Sequence, residues 1–402
     1  TLHVLDSTRG LPLWKYIAGG RIDSPPTVWK GRVLFGSADG YIYCLWAKDG
    51  ELAWRFRAAP LDRRMGCFDQ IESAWPVHGS VLIKGEELWA VAGRSMFLDG
   101  GLRLVRLNPS SGKLIAEEVM DDRDPASGEN LQVLLKTLNM PVALNDVLSF
   151  DGKYVYMRSQ RFNAKGKREE LEVPTLNVAA QKGDSAHLFC PTGFLDDVWW
   201  HRSYWVFGRV WKSGAGGYFQ SGRVAPAGRP LVFNDTTVFG YGRKPQYYRW
   251  TTPMEYQLFA TAKSPEVVKM GGKGARAKKG GAGAQPPKRF ATNWTADVPM
   301  FARGMVLADK TLFVVGPPDL INEVETLGSF AQKETQKLLA RQAVAYEGKE
   351  GCVLWAVSTK DGSKIAQGAL PSAPVHDGLV AANGRLFMTT LDGRVLSLGK
   401  KK

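Results

Sequence analysis

The stretch "SPPTVWKGRVLFGSADGYIYCLWAKDGELAWRF", residues 24–56, decides how the chain folds. Its apolar side chains fall in four short runs: around Val28, from Val33 to Phe35, from Tyr41 to Leu45, and from Leu52 to Phe56. Gly31, Asp39-Gly40 and Asp49-Gly50 separate them. Asp-Gly supplies the positive φ that a tight hairpin needs, and a period of two places one strand face on a core. The stretch predicts one four-stranded antiparallel sheet.

The same pattern returns along the chain. "VLDSTRGLPLW" (4–14) aligns with "CLWAKDGELAW" (44–54), so that Gly10 and Trp14 fall on Gly50 and Trp54. "VLFGSADGYIYCL" (33–45) aligns with "LFMTTLDGRVLSL" (386–398), and "LVRLNPSSGKLIAEE" (104–118) with "WAVSTKDGSKIAQG" (355–368). Strand entries repeat too: "SPPTVWKGRVLF", "SAWPVHGSVLI" and "SAPVHDGLVAA". Four strands recurring every ~40 residues mark a propeller. The expectation is an all-β chain, a single β-propeller domain over 1–402, with six to eight four-stranded antiparallel blades and seven favoured. Blades are placed at 23–60, 73–122, 140–212, 226–296, 297–370 and 371–399, with the N-terminal strands pairing with the C-terminal blade so that no edge is left open.

Two segments break the rhythm. Residues 269–289, "KMGGKGARAKKGGAGAQPPKR", carry seven basic side chains and no acid, and cannot build a core. They are expected to form a flexible Gly-rich loop. Residues 319–346 hold Leu320, Val324, Leu327, Leu338 and Leu339 at helical spacing among Gln, Lys and Glu, which predicts a helical insertion.

The net charge of +14 sits mostly in that loop and in the terminal Lys400–Lys402. A phosphate-tracking groove wants basic residues spread over a folded face, so no specific nucleic acid is expected. No apolar run reaches the ~18 residues of a membrane span, so no transmembrane segment is expected. The four cysteines, Cys44, Cys67, Cys190 and Cys352, form no C-x-x-C pair.

Residues 24–56, together with the first and last blades and parts of the second and fifth, resemble the repeat of the pyrroloquinoline-quinone-like β-propeller superfamily. The resemblance implies a propeller and an exported bacterial protein, periplasmic or extracellular, of which this chain would be one module. The superfamily's dehydrogenases carry adjacent cysteines against the quinone and a calcium ion held by Glu, Asn and Asp. Neither pattern is found here, so pyrroloquinoline quinone (PQQ) and calcium are not expected. No other cofactor is implied.

The densest chemistry lies in "FLDDVWWHRSYW" (194–205). In a strand, Trp199 and His201 share one face, while Trp200, Arg202 and Tyr204 share the other. Flat aromatic faces with a few polar groups suit a ligand platform, built on Asp196, Asp197, Trp199, Trp200 and Arg202. Glu72 and His78, in a long connection between blades, and Arg158 are added as candidate ligand-binding residues. His78 and His376 each follow Pro-Val, but no metal-ligand spacing results. The favoured function is a non-catalytic binding or scaffold module recognising a glycan, a peptide or a sister domain of the same polypeptide. The rival is a polysaccharide lyase with His201 as base, Tyr204 as acid and Arg202 against a carboxylate.

Overall fold

The computed structural model describes residues 1–402 except 68, 135–142, 144, 146, 173–174, 176, 191–204, 210–221, 246–254, 270–287, 327 and 400–402. The chain divides into two compact units, one built chiefly from residues 1–175 and the other chiefly from 215–402.

In the first unit a hairpin, β1 (Leu2–Leu5) and β2 (Pro12–Tyr16), precedes a four-stranded sheet. That sheet is β3 (Thr27–Trp29), β4 (Arg32–Gly36), β5 (Tyr41–Trp46) and β6 (Leu52–Arg57). A second hairpin, β7 (Arg64–Cys67) and β8 (Gln70–Ser73), leads into β9 (Leu82–Lys84), β10 (Glu87–Ala92), β11 (Leu102–Leu107) and β12 (Leu114–Met120). One helical turn, α1 (Leu131–Leu134), separates these from β13 (Ser149–Phe150), β14 (Val155–Met157) and β15 (Gln160–Phe162), and β16 (His187–Phe189) lies beside β13.

The second unit holds the pair β17 (Trp205–Gly208) and β18 (Ala227–Gly228). Its next sheet is β19 (Leu231–Phe233), β20 (Thr237–Arg243), β21 (Tyr256–Ala262) and β24 (Trp294–Ala296), interrupted by a hairpin of β22 (Val267–Lys269) and β23 (Lys288–Phe290). The basic segment read as a loop over 269–289 therefore begins and ends in strands, and its middle lies outside the described residues. Then come β25 (Gly304–Ala308), β26 (Thr311–Gly316), β27 (Cys352–Ser358) and β28 (Lys364–Leu370). Helices α2 (Glu323–Thr326) and α3 (Lys333–Tyr346) are inserted between β26 and β27. The last sheet is β29 (Pro374–Ala382), β30 (Arg385–Thr390) and β31 (Val395–Leu398). β1 pairs with β2, and β31 pairs with β30. This is the all-β, four-stranded antiparallel architecture that the repeat predicts.

Each inner strand buries both of its faces, which is why its apolar residues run almost without a break. In β4 and β5, Leu34, Ile42 and Cys44 pack toward Val81, just before β9, and toward Leu88 and Val105 of the next sheet. Val33, Phe35, Tyr43 and Leu45 pack the other way, toward Leu2, Trp14 and Tyr16 of the first hairpin. In the second unit, Phe239, Leu258 and Ala260 meet Met305, Leu312 and Val314 in the same manner.

A tryptophan clamp joins neighbouring sheets. Trp14 lies over Gly50, Trp54 over Gly112 and Trp294 over Gly362, so close that a Cβ on each glycine would stand 2.5, 2.6 and 2.6 Å from the ring. Each indole Nε1 donates to the carbonyl three residues before that glycine: Ala47 at 3.0 Å, Pro109 at 3.1 Å and Thr359 at 3.0 Å. The glycines have φ of +76°, +69° and +76°, so both backbone conformation and space demand glycine here.

The helical insertion packs differently from its apolar spacing. Helix α3 buries Thr335, Gln342 and Ala345, while Leu338 is exposed. The Gln342 amide accepts from Leu320 N at 2.6 Å and donates to Pro318 O at 3.1 Å. A polar side chain therefore holds the segment Pro318–Leu320, which leads into the insertion, against the helix.

Candidate functional site

The described residues bring two of the expected site residues together. Glu72, on β8, and His78, just beyond it, share a buried charge network with Arg21 and Asp23, which precede β3. His78 Nδ1 lies 2.5 Å from Asp23 Oδ2, and Arg21 Nε donates to Asp23 Oδ1. Arg21 Nη2 reaches on to Glu72 Oε2 at 3.3 Å. Glu72 is 3% exposed and His78 7%.

Local backbone explains the convergence. Ala38 N donates to Arg21 O at 2.8 Å, Ser73 N donates to Ala38 O at 2.8 Å, and Val77 N donates to Ser37 O at 3.0 Å. The β4–β5 turn thus draws the start of β3 and the end of β8 to one place. Burial raises the Asp23 carboxyl, but hydrogen bonds from His78 and Arg21 outweigh it and hold that carboxyl below its ordinary range. The Cys67 thiol is pushed up by burial, and further by its hydrogen bond with Glu72.

The strand that carries Glu72 belongs to a hairpin with exposed apolar side chains. The β7–β8 hairpin is tied to the loop 94–101 through Asp99. Arg63 Nη1 meets Asp99 Oδ1 at 3.1 Å, Arg94 Nη2 meets Oδ2 at 2.5 Å, and Trp75 Nε1 donates to the Asp99 carbonyl at 3.0 Å. Leu61 before the hairpin, Ile71 on β8, and Phe97 and Leu98 on the loop are exposed, Ile71 by 70%. Rigid loops with uncovered apolar side chains suit the recognition of a partner surface. The groups of the Arg21–Asp23–His78–Glu72 network are engaged with one another, and they tie β8 and the segment after it to the segment before β3.

Arg158 lies elsewhere, in the β14–β15 turn. Its side chain is buried, its φ is +51°, and its carbonyl is 2.6 Å from His187 Nε2. Asp196, Asp197, Trp199, Trp200, His201, Arg202 and Tyr204 lie outside the described residues. His376 is 3.5 Å from Asp377. Among the described residues no cluster of three or more His, Cys, Asp or Glu side chains has the arrangement of a metal site, and no helix is long and apolar enough to cross a membrane. Sequence reasoning missed Arg21 and Asp23. Their signal was a pair of charges directly before the Ser-Pro strand entry.

A family model described as "Outer membrane protein assembly factor BamB" matches residues 1–172. No curated protein matches the chain. Among solved structures, BamB from Moraxella catarrhalis is 12% identical, with 99% of this chain and 76% of that one covered and a TM-score of 0.37. Quinohemoprotein alcohol dehydrogenase from Comamonas testosteroni is 13% identical, with 96% and 67% covered and a TM-score of 0.49. A quinohemoprotein alcohol dehydrogenase from Pseudomonas putida HK5 is 13% identical, with 96% and 66% covered and a TM-score of 0.48. The match over residues 1–172 and the four-stranded antiparallel sheets within them agree with the pyrroloquinoline-quinone-like β-propeller repeat read from residues 24–56.

Proposed function

We propose that the chain is a non-catalytic binding or scaffold module of an exported protein, working in the periplasm or outside the cell. The observation that carries this reading is the exposed apolar group Leu61, Ile71, Phe97 and Leu98, held on loops braced by Arg63, Asp99 and Arg94. Apolar side chains, an aromatic ring among them, beside arginine suit a protein surface or a sister domain. The BamB name of the matching family, an assembly factor, agrees with a scaffold role. Quinone has no part in this reading, since no two of the four cysteines are neighbours in sequence.

The test compares the wild-type chain with an Ile71→Asp/Leu98→Asp variant of equal melting temperature. Both are immobilised and exposed to an envelope extract of the source organism. A polypeptide retained by the first and lost by the second is expected. Equal retention, or none, rejects this surface. Incubation with uronic-acid polymers should produce no unsaturated sugar absorbing in the ultraviolet, and such a product would establish the lyase instead.

A further inference from the structure

Among the described residues of the first unit, Arg32 and Arg106 stand over tryptophan rings, and they differ in one respect. Arg106 is the cross-strand partner of Trp89, and its guanidinium carbon lies 4.9 Å from that ring's centre. It also forks onto a carboxylate, with Nε donating to Glu87 Oε2 at 3.1 Å and Nη2 to Oε1 at 2.8 Å. Arg32 is built alike. It is the cross-strand partner of both Trp29 and Trp46, and its guanidinium carbon lies 4.5 Å from the centre of the Trp46 ring and 5.9 Å from that of Trp29. No carboxylate meets it. Among the described residues no hydrogen bond or ion pair reaches the Arg32 guanidinium.

The surroundings of Arg32 leave it this way. Lys30 and Lys48 hold the acids near the two rings, Glu86 at 2.6 Å and Asp49 at 3.4 Å. Arg32 itself is half-buried; its Nε is closed off without an acceptor, while the terminal Nη groups stay open to solvent. A guanidinium laid on an indole is held by its flat face and keeps its N–H rim for bonding in the plane. Carboxylates take such a rim in a two-bond fork. Arg32 opens β4, and Gly36 at the other end of that strand leads into the Ser37–Ala38 turn beside Arg21. The free guanidinium thus sits at the end of the sheet opposite the Arg21–Glu72 network.

We infer that Arg32, on its stack of Trp29 and Trp46, is a binding site for a glutamate side chain of an acidic partner polypeptide. The occupant's chemistry is that of Glu87, which fills the same position on Arg106 from a β-strand. A sugar acid suits the site less well, because the indoles that a sugar ring would stack on already carry cations: Arg32 on Trp46, and Lys30 at 4.8 Å on Trp29. The inference rests on the protein-binding reading of the chain, but at residues other than Ile71 and Leu98, so each can fail alone.

The probe is a fluorescein-labelled peptide of six glutamates, titrated by anisotropy at physiological salt against the full chain. Arg57, exposed on β6 of the same sheet and away from both rings of the stack, supplies the control for net charge. Wild type and Arg57→Gln should bind equally. Arg32→Gln should weaken binding by about tenfold or more. Arg32→Lys keeps the charge without the planar fork and should lose most of the binding as well. Should Arg32→Gln melt early, Arg32→Lys decides alone. Absent binding, or binding that Arg57→Gln weakens as much as Arg32→Gln, overturns the inference, the second result by reducing it to overall charge. Labelled hexagalacturonate that binds the wild type more tightly than the peptide, and is lost in Arg32→Gln, would give the site to a glycan and also overturn it. Ile71→Asp/Leu98→Asp should leave peptide binding unchanged, which separates this site from the β7–β8 surface.

Discussion

Trp54 rests on Gly112, 58 positions further along the chain, and donates from Nε1 to Pro109 O at 3.1 Å. The contact joins the sheet β3–β6 to the sheet β9–β12 through one ring and one hydrogen bond. Trp54→Phe keeps the ring and loses the bond, and should cost about 1 kcal/mol. Gly112→Ala meets both a left-handed φ and the indole, and should cost more than about 1 kcal/mol. Thermal melts of the two variants check the order, which fails if Gly112→Ala is neutral.

Asp23→Asn should destabilise by about 2–4 kcal/mol, because it leaves Arg21 and His78 without their shared carboxylate. The sign of its pH dependence follows from a folded carboxyl held below its ordinary range. The stability that Asp23 supplies is present above the unfolded-state pKa and is lost as pH falls through the lower, folded value. Denaturant unfolding at neutral and acid pH should therefore show the variant's deficit shrinking in acid.

Asp319 predicts the opposite trend. Burial first, then Glu255 and Glu323, push its carboxyl up to about 6, against Lys244 and a backbone hydrogen bond. Lys244 is shared between Glu255 at 3.6 Å and Asp297 at 3.1 Å. Between the ordinary aspartate value and about 6 the folded state holds a proton that the unfolded chain has released, so stability falls as pH rises through that window. Asp319→Asn should gain on the wild type across this range and keep a constant advantage above it. A melting difference independent of pH would refute the assignment.

Gln342→Ala removes the amide that serves both Leu320 N and Pro318 O. The loss should be about 1–3 kcal/mol, the range for stranded backbone groups. Hydrogen exchange should show the Leu320 amide losing protection before the strands β26 and β27 do.

The sheets were legible from residues 24–56 because a blade is written locally: alternating strands, an Asp-Gly turn, and a Gly-Trp pair at fixed spacing. The spacing of Gly10–Trp14 and Gly50–Trp54 even recorded the clamp, though its partners are a turn and a ring in different sheets. The buried network was not legible, since His78 meets Asp23 across 55 positions and Arg21 meets Glu72 across 51. Such pairs leave no period to read. Helix α3 misled for another reason: Leu338 follows helical spacing yet faces solvent, and Gln342, polar by type, is the buried anchor.

No disulfide joins the four cysteines, and burial pushes the Cys44 and Cys352 thiols up to about 11. Within each unit, cohesion among the described residues therefore passes from sheet to sheet through packing and the indole clamps, each of which reaches the neighbouring sheet. A stack coupled in this way melts as a row of dominoes. In that row the β1–β2 hairpin, resting on Val33, Phe35, Tyr43 and Leu45, comes away before the sheet it rests on.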